Sequence, residues 1–243
     1  MRALASGNTS VTVEGVVVPG FFCLPAETGQ PLPVVVVMHG SDGFKPNHGR
    51  IAQKLAEEGF AAFAPVWFGS DPSRPGWEHL RREDVLAAVS DFVKRPEVDP
   101  ENIGFMGFSR GGGLALYFGA LLPSTRAIVN YFGLTSWEGG LEELPHLQIN
   151  RDDPLDFVRR INCPVLSLHG DSDTVVPVTN TYGLDEACRR YGVGHEVVIY
   201  PGVDHSFIWD DSDNEKYNRD AHIDSWNRAV NFLKRHMMPN NGQ

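Results

Sequence analysis

Apolar residues in this chain fall into short blocks separated by stretches with helical spacing. Residues 34–38, four valines and a methionine, form an unbroken apolar run, the pattern of a strand covered on both faces. Comparable short runs occur at 61–66, 103–106, 127–131, 164–168 and 196–200. Between them lie helix-permissive segments: 47–58, stopped at Gly59; 78–95, closed by Pro96; 114–121; 179–191; and 214–236. Residues 11–18 and 21–24 read as an opening hairpin broken at Pro19-Gly20. Strands alternating with helices predict an α/β fold, a mainly parallel doubly wound sheet flanked by helices with right-handed crossovers. Residues 133–162 are less regular, with Gly139-Gly140, Pro145 and Pro154, and form the candidate lid or cap segment, with room for one short helix. No repeat, Ser/Gly linker or charge run divides the 243 residues, so a single domain over 1–243 is expected.

Composition excludes several classes of partner. Hydrophobic residues at 42% and aromatics at 10% suit a globular enzyme core. The 31 acids outnumber the 21 bases for a net charge of −10, which argues against nucleic acid and an anionic membrane surface. Cys23, Cys163 and Cys188 are odd in number and widely spaced, suggesting neither a disulfide framework nor a metal cluster but a reducing, cytoplasmic setting. No apolar run approaches the roughly 18 residues of a membrane span, and residues 1–20 lack a secretory pattern. No His-Glu-x-x-His or Cys/His spacing appears, so neither a metal nor another cofactor is expected.

The candidate chemistry starts at Gly107-Phe108-Ser109-Arg110-Gly111, where an apolar strand runs through a glycine-flanked serine into a helix. That is the context of a nucleophile elbow, in which small neighbours let two backbones approach and the hydroxyl projects from the sheet edge. A serine hydroxyl needs a base, and in sites of this kind the acid and then the histidine follow downstream. Asp171 and Asp173 lie just past the 164–168 strand, and His205 lies on a glycine-containing turn after the 196–200 strand. All sit at the carboxyl edge of a parallel sheet, where open α/β sheets keep their chemistry. From the residues alone, either aspartate can serve, the other being free to cap the helix near Val178.

Gly107-Phe108-Ser109-Arg110-Gly111-Gly112, Asp173-Thr174-Val175-Val176-Pro177 and Gly202-Val203-Asp204-His205-Ser206-Phe207 together resemble the dienelactone hydrolase family of α/β-hydrolases, over about residues 10 to 236. The resemblance implies an α/β-hydrolase fold with Ser109 as nucleophile, Asp173 as acid and His205 as base. Dienelactone hydrolases themselves carry cysteine at the nucleophile, where this chain has Ser109, and glutamate in the loop after the third strand, where this chain has Gly40. Their lactone specificity is therefore not carried over.

The remaining candidates surround that set. His39-Gly40-Ser41-Asp42-Gly43 follows the 34–38 strand, where the backbone N–H of Ser41, with that of Arg110, would form an oxyanion hole. Phe44, Trp67, Trp137 and Trp209 fall in loops near the active edge and are candidate substrate-binding residues. His39 and His169 are expected to bond locally at strand ends, while His48, His195, His222 and His236 are expected to be solvated. The function expected is a serine hydrolase of small-molecule carboxylic esters or lactones working through an acyl-enzyme. An acyltransferase using the same intermediate and a non-catalytic ligand receptor are the alternatives.

Overall fold

In the computed structural model, which describes residues 5–26, 29–67, 82–136, 153–211 and 214–238, the chain opens with a hairpin of β1 (Ala5–Val13) and β2 (Val16–Leu24). Its turn is Glu14-Gly15, with φ of 50° and 84°, a two-residue turn whose twist suits antiparallel strands. The break expected at Pro19-Gly20 is thereby corrected, because both residues lie inside β2, opposite Ser10 and Thr9. Proline lacks only an N–H, and the Pro19 carbonyl still accepts from the Val66 amide at 2.7 Å. Gly20 is there for closeness: a Cβ would come within 2.6 Å of the Phe63 ring.

Six further strands follow: β3 (Leu32–Met38), β4 (Ala61–Pro65), β5 (Val98–Phe108), β6 (Thr125–Tyr131), β7 (Val165–Gly170) and β8 (His195–Tyr200). The sheet order is β1-β2-β4-β3-β5-β6-β7-β8. The two pairings of β2 are antiparallel and all later ones parallel. The described helices are α1 (Pro46–Glu57), α2 (Arg82–Phe92), α3 (Arg110–Leu121), the short α4 (Pro154–Phe157), α5 (Thr179–Tyr191) and α6 (Arg219–Met237). Strand alternation sends Val34, Val36 and Met38 into one core and Val35 and Val37 into the other, so the valine run is buried on both faces. The first core takes its helical side chains from α2, α3 and α5, the second from α1 and α6.

The last helix begins later than its pattern suggests. Asn218 is its N-cap, accepting from the Ala221 amide at 3.0 Å, while Asn214 turns back to donate to the carbonyls of Ser206 and Trp209. Most of the candidate cap segment, residues 137–152, lies outside the described residues, and its far end forms α4. Among the described residues no helix is long and apolar enough to cross a membrane.

The close contact at Gly20 yields a test of the corrected register. Gly20→Ala should lower unfolding stability by about 1–3 kcal/mol through overpacking against Phe63, read as a fall in the urea midpoint; an unchanged midpoint would contradict this packing.

Candidate active site

β5 ends at Phe108 and α3 starts at Arg110, so one residue must reverse the chain between them. Ser109 does so with φ 54° and ψ −122°, a conformation that costs a side-chain-bearing residue energy. Neighbouring strands and loops hold it there: its amide donates to the Tyr131 carbonyl at 3.0 Å, and its carbonyl accepts from the amides of Gly112 and Leu134, both at 2.9 Å. The flanking glycines have a steric cause. A Cβ at Gly107 would run into the Gly111 carbonyl, and one at Gly111 into that of Met38.

The partners come from the ends of β7 and β8. His205 Nδ1 donates to Asp173 Oδ2 at 2.7 Å, while Asp173 Oδ1 accepts the amides of Val175 at 2.9 Å and Val176 at 2.7 Å. Beneath them His169 is wholly buried, its Nε2 lying 3.1 Å from Asp173 Oδ2 and 2.9 Å from the Val176 carbonyl. Both neighbours are acceptors, so Nε2 carries the proton, and Nδ1 accepts from the Thr181 hydroxyl at 2.8 Å. Burial pushes the Asp173 carboxyl up, but the hydrogen bonds from His169 and His205, the charge of His205 and the Val176 amide together outweigh it. They hold Asp173 well below the usual carboxylate range.

Two more carboxylates tie the acid loop to the histidine loop. Asp204 accepts the amides of Thr174 at 2.7 Å and His205 at 2.6 Å and pairs with Lys216 at 3.0 Å. Asp171, the rival acid, accepts the Gly202 amide at 2.7 Å; it braces the turn that carries His205, and α5 starts without a side-chain cap.

Ser109 and His205 line one cavity of about 760 Å³, with Gly40, Ser41, Phe132 and Trp209 among its other walls. With Nδ1 taken by Asp173, Nε2 is the ring nitrogen left for Ser109. Gly40 abuts the serine, since a Cβ there would stand 3.2 Å from that of Ser109. Ser41 is on the cavity wall, and the Arg110 N–H opens α3, where no intrahelical acceptor exists for it.

The aromatic candidates divide. Trp209 lines the cavity. Phe44 is not among the described residues that wall it and packs against His48, ring centroids 5.6 Å apart. Trp67 is buried in the core, stacked on His39 at 5.0 Å and donating Nε1–H to the His39 carbonyl at 3.2 Å; it is not among the described residues that wall the cavity. Trp137 lies outside the described residues.

Of the four histidines expected to be solvated none is fully exposed: the His48 and His195 side chains are buried, and His222 and His236 are half-buried. His48 is 5% exposed and faces the cavity, whereas the His195 ring bonds Asp185 at 3.1 Å and the Ser167 hydroxyl at 2.9 Å. Ser167, His195 and Asp185 thus repeat the residue types of the site, but Ser167 is fully buried in mid-strand β7, where no substrate carbonyl can reach it. Residue type alone does not mark these roles. The one usable signal was for His169, which ends a buried strand four residues before the acid. Among the described residues no cluster of His, Cys, Asp or Glu is arranged to hold a metal ion.

An eight-stranded, mainly parallel sheet with a serine elbow after β5 and acid and histidine loops after β7 and β8 defines an α/β-hydrolase. Residues 18–237 match the model of the dienelactone hydrolase family, and the chain belongs to that family. Its relatives include a Synechocystis sp. protein provisionally named carboxymethylenebutenolidase, 27% identical across 93% of this chain and 96% of its own. A provisionally named carboxymethylenebutenolidase from Aquifex aeolicus is 29% identical across 92% and 95%. A crystal structure provisionally assigned as a dienelactone hydrolase from Klebsiella pneumoniae superposes with a TM-score of 0.83 at 25% identity, covering 97% of this chain and 100% of that one.

The depressed carboxyl of Asp173 makes stability pH-dependent with a definite sign. Its unfolded value lies near the ordinary 3.8 and its folded value below, so the stabilisation is complete above about pH 5 and fades as pH falls through the folded value. Asp173→Asn should therefore lower Tm at pH 7 and flatten the decline of Tm below pH 4; parallel Tm-versus-pH curves for variant and parent would refute the assignment.

Proposed function

We propose that this chain hydrolyses small, neutral carboxylic esters or lactones through an acyl-enzyme on Ser109. The observation that carries the reading is the Asp173–His205 hydrogen bond of 2.7 Å at the edge of the cavity that also holds the strained Ser109. In this reading His205 Nε2 takes the Ser109 proton as Oγ attacks the substrate carbonyl, and Asp173 keeps the imidazole in the required tautomer and stabilises its charged form. The N–H groups of Ser41 and Arg110 bind the oxyanion; the alcohol then leaves with a proton from His205, and water releases the acid through the same base. The family's hydrolytic chemistry and the relatives' butenolide-directed name support esters and lactones as the substrate class.

The cavity supports the substrate's size and charge. About 760 Å³ is in the range of small-molecule sites. Among the described residues the acidic and basic side chains on its wall are paired: Lys45 with Asp42 at 2.8 Å, Asp211 with Arg50 at 3.1 Å and Lys216 with Asp204 at 3.0 Å. A wall whose charges are matched, on a chain of net charge −10, favours an uncharged substrate over an acidic one.

Ser109→Ala should lower kcat on a 4-nitrophenyl ester by up to about 10⁶-fold with an unchanged circular dichroism spectrum; retention of most activity would eliminate Ser109 as the nucleophile. Since the oxyanion donor at position 41 is backbone, Ser41→Ala should cost less than about tenfold and Ser41→Pro about 10²–10³-fold in kcat. Equal effects of the two substitutions would remove Ser41 from that role.

A further inference from the structure

His48 is a buried titratable group with no part in the chemistry described so far. It sits in the first turn of α1, walls the cavity together with Ser109 and His205, and is 5% exposed. Phe44, Phe108 and Trp209 surround its ring at centroid distances of 5.6, 6.0 and 5.2 Å. Its Nδ1 accepts the Lys45 amide at 3.0 Å and lies 3.3 Å from the Lys45 carbonyl, closing the N-terminal turn of the helix.

That arrangement settles where the proton is. Burial first of all pushes His48 down to about 4, so the ring is neutral, the opposing pull of the Lys45 carbonyl being smaller. A neutral imidazole that accepts at Nδ1 carries its hydrogen on Nε2. Among the described residues Nε2 has no hydrogen-bond partner, and it is not one of the atoms sealed away from solvent without one. Donors in buried positions are ordinarily matched. Here the acid groups nearby are already used, Asp42 by Lys45 and Asp211 by Arg50 and Asn47.

We propose that the Nε2–H of His48 binds substrate, donating to a second neutral oxygen away from the scissile carbonyl, so that the enzyme prefers esters bearing an ether, keto or ring oxygen over their all-carbon counterparts. The inference rests on the ester-hydrolase reading and specifies its substrate class. A neutral donor in an apolar cage suits an uncharged acceptor, and an analogue lacking that oxygen leaves the donor unmatched.

The test compares isosteric esters: 4-nitrophenyl methoxyacetate against 4-nitrophenyl butyrate on the acyl side, and 2-methoxyethyl butyrate against butyl butyrate on the alcohol side. The measured quantity is the kcat/KM ratio within each pair, taken for the parent and for His48→Phe, which keeps an aromatic ring and removes the donor. Intrinsic reactivity cancels between the two proteins, and a general packing defect moves both members of a pair together. His48→Phe should reduce the ratio about tenfold in one pair, the scale of one neutral hydrogen bond; His48→Gln, which keeps an acceptor for Lys45 and an N–H donor, should restore part of it. Ratios unchanged in both pairs would overturn the role of His48 while leaving the hydrolase reading intact. A parent that cleaves none of these esters in a Ser109-dependent way would remove the hydrolase reading and this inference with it. Should His48→Phe not fold, the His48 Nε2–H resonance in ¹⁵N-labelled Ser109→Ala protein should move on saturation with an oxygen-bearing ester and not with its all-carbon partner. A resonance that responds to none, or alike to both, would overturn the proposal.

Discussion

The carboxylate of Asp173 is the constraint around which the rest of the site is arranged. A negative charge removed from water has to be met by hydrogen-bond donors, and four N–H groups meet this one: two amides of its own loop, His205 and His169. Each donor fixes a different part of the fold. The Val175 and Val176 amides shape the loop after β7, His205 sets the loop after β8, and His169 links the carboxylate to Thr181 and hence to the first turn of α5. A shift in any of these elements would leave part of the charge unmatched, which is why segments so far apart along the chain hold one arrangement.

Backbone strain concentrates at the same place. Of the four described non-glycine residues with positive φ, three, Ser109, Phe132 and Ser206, line the cavity. Such conformations persist only where surrounding structure over-determines them. Here the β6 end supplies it: Ser109 donates to Tyr131, the Phe132 amide donates to Leu168, and the Phe132 ring meets that of His205 edge-on at 4.7 Å. Of the charged residues on the cavity wall, Lys45 pairs with Asp42, Asp211 with Arg50 and Lys216 with Asp204.

The alternation of apolar runs and helical spacing is legible in the sequence itself. So is the elbow, because glycines at 107 and 111 answer a steric demand between elements adjacent in sequence. The hairpin was misplaced because Pro19-Gly20 is a strong turn signal, whereas the true turn at Glu14-Gly15 is set by how β2 pairs on both sides. The start of the last helix was misplaced for a related reason: Asn214 fits a helix start locally but is used by the loop carrying His205. Trp67 looked like a pocket residue because it follows a strand end, and packing on His39 put it in the core.

By itself, then, the sequence determined what is local: strand and helix periodicity, the serine turn, and the order in which acid and histidine follow it. Only the tertiary structure set Asp173 rather than Asp171 against His205, buried His169 beneath that carboxylate, and separated His48, which meets the cavity, from His195, which meets Ser167. The physical reason is that a histidine or carboxylate carries no mark of its role in its own neighbourhood along the chain. Its role comes from burial and from which donors and acceptors other strands bring within about 3 Å, and those distances exist only once the sheet has formed.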